Sequence, residues 1–365
     1  MKNKFGKILL IAGAACLFNA CDTDMEIKDP ADLVTPSKSA EYYQKLRDYK
    51  MSDHEVAFGW YGNWTGGATS MENSLNGLPD STDFVSLWGN WQNPDENRLA
   101  DLRKAQTLKG LRAMICCLVL DVGDGVTPPM PEADEAAGVT WKEYRHKFWG
   151  WGESLESKVA AAEKYANAIC DTIDKYGYDG FDIDAEPNFI HPFHTDYEMW
   201  SNGNEVMDTF IETLGKRIGP KSGTNKLLVI DGEPYAVNPK FGDYFNYYIL
   251  QAYGNDSNSQ LNSKIGRTVN HFKDTYSVGE ITKRIIVCEN FENWASSGGV
   301  EFMLDNGKQV PSLLGFALWE PVVNGVKYRK GGVGTFHMEY EYNAGKAVTY
   351  PFLRQAIQIM NPSIK

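Results

Sequence analysis

Short apolar runs recur along the chain, each closing in polar, glycine or aromatic residues, with amphipathic helical stretches between several of them. This alternation constrains the fold more than any other feature. The runs are Val56–Tyr61, Phe84–Trp88, Leu111–Leu120, Gly180–Ile183, Leu227–Ile230, Tyr247–Gln251, Ile285–Cys288 and Leu313–Trp319, and each reads as a buried strand. Between the third and fourth, Val159, Ala162, Ala166, Ile169, Ile173 and Tyr176 recur every three or four residues, marking one face of a helix that Gly177 stops. Val206, Phe210, Leu214 and Ile218 repeat that pattern before the fifth. Eight strands alternating with helices in 365 residues predict an α/β fold, a single-domain (β/α)8 TIM barrel. A doubly wound open sheet is the alternative, but no Gly-rich phosphate loop follows the first strand. The tail from Gly331 through Phe336 to Ile357 reads as a turn and a closing helix.

The amino terminus reads as an address. Lys2, Lys4 and Lys7 precede an apolar stretch from Ile8 to Phe18 that is too short to span ~30 Å of hydrocarbon. It closes in Leu17-Phe18-Asn19-Ala20-Cys21, which resembles a bacterial lipobox, although Phe18 stands where Leu or Val is usual. The resemblance implies cleavage before Cys21 and its acylation by more than one chain, enough for stable anchoring. An ordinary signal peptide cut after Ala20 is the alternative. Asp22, Asp24 and Glu26 resemble the surface-export signals of lipoproteins in glycan-degrading Gram-negative bacteria. That implies an outer-membrane lipoprotein exposed at the cell surface, with the periplasmic side as the other location. The expected organisation is a signal peptide over 1–20, an acylated tether and lead-in helix over 21–50, and the barrel over 51–365.

Composition narrows the partners. The net charge is -12 and no long basic run occurs, which argues against nucleic acid, since phosphate binding needs clustered Lys and Arg. Ten Trp, 19 Tyr and 17 Phe supply many flat apolar faces of the kind that stack on sugar rings. Cys116, Cys117, Cys170 and Cys288 show no metal-type spacing and read as buried free thiols. His191 and His194 are three apart, but Pro192 breaks the helix that would align them. No cofactor or metal is expected, and the chain is expected to act as a monomer.

The most informative stretch is Asp179-Gly180-Phe181-Asp182-Ile183-Asp184-Ala185-Glu186. Side chains on a strand alternate, so Asp182, Asp184 and Glu186 share a face at ~7 Å spacing. Three carboxyls on an interior face repel one another and are poorly solvated, which raises at least one pKa and suits a proton-sharing relay ending in a general acid. A solvated acidic strand or a divalent-cation site is the bland reading.

The spacing Asp179-x-x-Asp182-x-Asp184-x-Glu186 resembles the D-x-x-D-x-D-x-E signature of glycoside hydrolase family 18, complete and on the fourth strand. More loosely, the resemblance extends from about residue 55 to 360. It implies substrate-assisted hydrolysis, in which the carbonyl oxygen of the sugar's own 2-acetamido group attacks the anomeric carbon. Glu186 is then the acid and later the base, Asp184 orients the acetamido N–H, Asp182 shares a proton with Asp184, and Asp179 is structural. On the sixth strand Gln251-Ala252-Tyr253-Gly254 replaces the Met-x-Tyr-Asp of chitinases, and Leu118-Val119-Leu120-Asp121 replaces their Ser-x-Gly-Gly on the third. A Gln-x-Tyr pair resembles the endo-β-N-acetylglucosaminidases, which cut between the two GlcNAc residues of N-glycan cores. The resemblance makes Tyr253 a donor to the acetamido oxygen and Gln251 a contact to the same sugar.

Trp319, taken to end the eighth strand, is expected beneath the reacting sugar, and Trp60, Trp88 and Glu289 as further substrate contacts. With Tyr61, Trp64 and Trp91, which also sit at or just past the first two strands, Trp60 and Trp88 are candidates to line a glycan groove. Three rivals stay open: a chitinase, a retaining glycosidase with Glu186 as acid and Glu289 as nucleophile, and a glycan-binding barrel without activity.

Overall fold

The computed structural model describes residues 38–67, 70–189 and 197–362. The chain divides into a unit of residues 1–37 and a unit of residues 38–365. The signal segment, Cys21 and the acidic residues after it, together with His191 and His194, lie outside the described residues.

Ser39 opens the first described helix, α1 (Ala40–Lys50), its side chain accepting from the Tyr42 backbone N–H. The chain then builds β1 (Val56–Tyr61), β2 (Phe84–Leu87), α2 (Glu96–Lys104) and β3 (Arg112–Leu118). A long excursion after β3 carries α3 (Glu132–Ala136) and α4 (Trp141–Trp149), and leads into α5 (Leu155–Tyr176). This last helix has the predicted amphipathic face: Ala162, Ala166, Ile169 and Ile173 are buried, and Gly177 ends it in the left-handed region at φ 65°. Next come β4 (Gly180–Ala185), α6 (Asn204–Gly215), β5 (Leu227–Gly232), β6 (Tyr247–Gln251), α7 (Asn258–Phe272), α8 (Val278–Thr282) and β7 (Ile285–Asn290). Two small hairpins, β8 (Glu301–Met303) with β9 (Gln309–Pro311) and β10 (Val322–Val323) with β11 (Val326–Lys327), flank α9 (Ser312–Leu318). The chain closes with β12 (Gly332–Phe336) and α10 (Pro351–Met360).

Eight of the strands form a closed parallel barrel in the order β1-β12-β7-β6-β5-β4-β3-β2. One apolar layer lies between strands and helices, and a second fills the barrel with Val56, Phe58, Phe84, Met114, Leu227, Val229, Ile249 and Ile286. The strands therefore alternate helix-facing and interior residues, as a filled (β/α)8 barrel requires.

The eighth strand is a correction to the sequence reading. Leu313–Trp319 is not a strand but the helix α9 and its cap, and the strand that closes the barrel is β12, in the segment read as a turn. Glycines disguise it. A Cβ on Gly334 would stand 2.7 Å from the Phe58 ring and 2.8 Å from Cys288 Sγ. One on Gly332 would stand 2.0 Å from the Val56 carbonyl oxygen. Only glycine fits at these two positions of the strand.

Candidate active site

The carboxylate row stands where the barrel opens at the carboxyl ends of its strands, the end at which barrel enzymes do their chemistry. On β4, Phe181, Ile183 and Ala185 pack outward against the helices, which leaves Asp182, Asp184 and, just past the strand, Glu186 on the interior side. Asp179 sits apart at the amino end of β4. Its carboxylate accepts from Gln106 Nε2 at 2.7 Å and from the Ala113 backbone N–H at 2.8 Å, tying β4 to the start of β3.

Asp182 is fully buried, and its Oδ2 accepts from Ser86 Oγ at 2.5 Å and Trp60 Nε1 at 3.1 Å. Burial pushes its pKa up, against the hydrogen bonds from Ser86 and Trp60 and the close approach of Asp231. Asp184 is raised well above the usual carboxylate range by burial and by the charges of Glu186 and Asp182. Glu186 is raised by burial and by Glu233, while Gln251 and Lys264 pull the other way. The Gln251 amide nitrogen donates to Glu186 Oε1 at 2.5 Å and to Asp231 Oδ1 at 3.1 Å. A raised pKa keeps an acid protonated closer to neutral pH, which a proton donor needs.

Asp231 is a residue the sequence reading missed. It lies on β5 beside Asp184 in the ladder and is buried. Reading the fifth apolar run one residue further, into Asp231-Gly232-Glu233, would have found it. Glu233 was missed as well: its carboxylate accepts from the Asn188 backbone N–H at 2.8 Å, from Asn188 Nδ2 at 3.2 Å and from Tyr235 OH at 3.0 Å. It thereby grips the chain two residues past Glu186. Cys116 Sγ and carboxyl oxygens of Asp184 and Asp231 lie within 4.8 Å of one another, so these three could ligate a cation. Burial and the neighbouring carboxylates hold the Cys116 thiol protonated well above its ordinary range, which weighs against a thiolate ligand there.

Aromatic rings wall the opposite side. Tyr253 stacks on Phe336 with centroids 6.1 Å apart, and Phe336 also touches Trp60, Trp88 and His337. Trp88 is 39% exposed and stands at the rim. Trp60 is 4% exposed and donates to Asp182, so it belongs to the carboxyl network and is not an open groove wall. Tyr61, Trp64 and Trp91 are core residues. Across the loops that follow β3 and β4, Arg145 clamps Asp121 at 2.7 Å and Glu198 at 2.8 Å.

Two expected contacts do not reach the mouth. Trp319 is 1% exposed, its indole N–H donates to Asn262 Oδ1, and its carbonyl accepts from Lys330 Nζ near the amino end of the barrel. The end of the closing strand, where Trp319 was expected, is occupied by Phe336. Glu289 is fully buried with its side chain turned toward α9. It accepts from Ser312 Oγ at 2.5 Å, from the Asn290 N–H at 2.7 Å and from the Gly254 N–H at 2.9 Å. It pins the loops after β6 and β7 and offers no free oxygen to a substrate.

The model of glycoside hydrolase family 18, BT1044-like, matches residues 23–359. The chain belongs to glycoside hydrolase family 18. A curated relative, endo-beta-N-acetylglucosaminidase F2 of Elizabethkingia meningoseptica, is 25% identical over 342 residues, covering 89% of this chain and 87% of that protein. Among solved structures, a selenomethionine glutamate-to-glutamine variant of BT1044 superposes with a TM-score of 0.72 at 33% identity, covering 88% of this chain and 92% of the other. An endo-beta-N-acetylglucosaminidase from Cordyceps militaris shares the fold at a TM-score of 0.60 and 22% identity, covering 90% and 98% of the two chains. The family 18 signature thus lies on β4 of this hydrolase, and its related proteins include endo-β-N-acetylglucosaminidases.

Proposed function

We propose that this family 18 hydrolase cleaves the β-1,4 bond between the two GlcNAc residues of an N-glycan core with retention of configuration, through an oxazolinium intermediate. The observation that carries the reading is the asymmetry of the mouth. The acid candidates form one row on β4, whereas Glu289, the glutamate at the position of a second catalytic carboxylate, is turned outward and fully hydrogen-bonded. A two-carboxylate retaining mechanism needs its partners ~5–5.5 Å apart on opposite sides of the sugar, and family 18 is a known exception to that rule. The attacking group then comes from the substrate.

In this scheme Glu186 gives its proton to the leaving glycosidic oxygen as the acetamido carbonyl oxygen closes on C1. Asp184 accepts the acetamido N–H and balances the oxazolinium charge, and Tyr253 donates to the acetamido oxygen. Water then attacks C1 and reopens the ring, its proton passing to Glu186. The resemblance of Gln251-Ala252-Tyr253 to the endoglycosidase pair and the kinship to endo-beta-N-acetylglucosaminidase F2 support the N-glycan core over chitin. The Cordyceps militaris enzyme has been solved with fucosyl-N-acetylglucosamine-Asn, the reducing end of such a core. Glycans released from high-mannose, hybrid and complex glycoproteins, weighed by mass spectrometry for the wild type beside Glu186→Gln, test the reading. Release by the wild type alone supports it, and no product from any class would leave a glycan-binding barrel.

The mature chain is further proposed to work as a monomer anchored through acylated Cys21 at the outer membrane, facing outward. Labelled fatty acid should enter the wild type and not Cys21→Ser, and external protease should remove the anchored protein from intact cells.

A further inference from the structure

The buried end of the mouth holds more unpaired acceptors than three catalytic acids explain. Asp182 Oδ1, Asp184 Oδ1 and Asp231 Oδ2 are buried and lack a hydrogen-bond partner. Asp231 lies beside Asp184 in the strand ladder and within hydrogen-bonding reach of Asp182. Two carboxylates in that contact need a proton between them, because bare oxygens repel and a buried acceptor without a partner is unfavourable. One proton shared by Asp231 and Asp182 gives a partner to an oxygen of each. It leaves the Asp184 carboxylate without that proton, able to accept the acetamido N–H as the proposed mechanism needs.

The same residue sets the direction of an amide. Gln251 spends one hydrogen of its Nε2 on Asp231 and the other on Glu186. The Asp231 acceptor therefore decides which end of the Gln251 amide faces the acid. Flipped, the amide would present its oxygen to Glu186 and accept the proton meant for the glycosidic oxygen.

We propose that Asp231 works as a neutral carboxylic acid that positions the reaction, donating its proton to Asp182 and holding the Gln251 nitrogen toward Glu186. The relay is then branched, with Asp182 between Asp184 on its own strand and Asp231 on the next. The groups facing Asp231 agree. Asp182, Asp184 and Glu186 come from β4, Cys116 from β3, Cys288 from β7 and Tyr253 from beyond β6, with Gln251 its polar neighbour on β6. None of these is a cation. Lys264 faces Glu186 and Glu233. This inference rests on the reading of Glu186 as the acid, and the test separates the two.

Asp231→Asn and Asp231→Ala are compared with the wild type for thermal unfolding, for the pH profile of glycan release, and for the infrared band of protonated carboxyls without substrate. An asparagine can donate to Asp182 and accept from Gln251, so Asp231→Asn should keep kcat within about fivefold, with the alkaline limb in place. Asp231→Ala frees the Gln251 amide. Because that amide's donation holds the Glu186 pKa down, kcat should fall more than tenfold and the alkaline limb should move to higher pH. The neutral-pH protonated-carboxyl band should lose intensity in both variants. If Asp231→Asn is as impaired as Asp231→Ala, or Asp231→Ala matches the wild type, the proposal is overturned. An unchanged infrared band overturns it even if one of the variants fails to turn over. Should the wild type release no glycan, the function reading is what fails, and the infrared comparison still decides the state of Asp231.

Discussion

Ser86→Ala tests how the relay is tuned, and the structure fixes both the size and the direction of the effect. Ser86 is buried on β2 and touches the relay through a single hydroxyl, 2.5 Å from Asp182 Oδ2. That hydrogen bond favours the ionised form of Asp182. A hydrogen bond to a charged group contributes about 1.5–3 kcal/mol. At 1.36 kcal/mol per unit, its loss raises the Asp182 pKa by roughly 1–2 units. Trp60 still donates to the same oxygen at 3.1 Å, so the lower end of that range is expected. The sign follows from what the mechanism needs. Asp184 must be ionised when the oxazolinium forms, and activity is lost at low pH when the coupled aspartates take up one proton too many. A more basic Asp182 brings that extra proton on at higher pH. The acid limb of kcat should therefore move up by about one unit in Ser86→Ala while the alkaline limb, set by Glu186, stays. Released glycan quantified by chromatography between pH 4 and 9 gives both limbs. An acid limb that stays put or moves down would refute the link between Ser86, Asp182 and the ionisation of Asp184.

Three further outcomes follow from the geometry. Glu289→Gln should keep kcat within a few-fold of wild type, yet lose about 1–3 kcal/mol in urea unfolding, because an amide nitrogen replaces an acceptor among three donors. Trp319→Phe should lower stability by roughly 1–2 kcal/mol through the lost bond to Asn262 and a small void, with kcat/KM unchanged. A large rise in KM at unchanged stability would return Trp319 to the mouth. Trp88→Ala should raise KM about tenfold or more with little change in kcat, since a rim ring contributes on the order of 1.5–3 kcal/mol when covered. Calorimetric titration of inactive Glu186→Gln with and without the Trp88 change separates binding from turnover.

How far the sequence could be read depended on whether periodicity or tertiary crowding decided each element. Seven strands were legible because six are short, mainly apolar runs bounded by polar residues and β4 alternates apolar with acidic side chains, and α5 because its buried face repeats over many turns. The eighth strand was not. A seven-residue run of six apolar side chains and one glycine fits a short helix as well as a buried strand. In α9 the buried Leu313, Phe316 and Ala317 beside exposed Leu318 follow the helical period, but the run is too short to weigh it. The true strand carries Gly332 and Gly334 because Val56, Phe58 and Cys288 leave no room for side chains, a demand that only the assembled barrel makes. The row from Asp182 to Glu186 was readable because alternation on one strand fixes its face. Asp231 and the outward turn of Glu289 depend on which neighbours each strand end meets, and a run that stops at Ile230 hides the first of them. Trp60 read as a groove wall because aromatics at the end of a barrel strand often line the mouth, but the structure turns its indole N–H to Asp182.

The most direct measurement compares two substrates that differ only at the sugar whose bond is cut, one carrying the 2-acetamido group and one carrying a hydroxyl in its place. If the substrate supplies the attacking oxygen, the acetamido compound should turn over at least a thousandfold faster, on the order of the advantage of a well-oriented intramolecular nucleophile. Equal rates would mean that the protein itself provides the nucleophile, and the account of Asp184, Tyr253 and the outward Glu289 would be wrong.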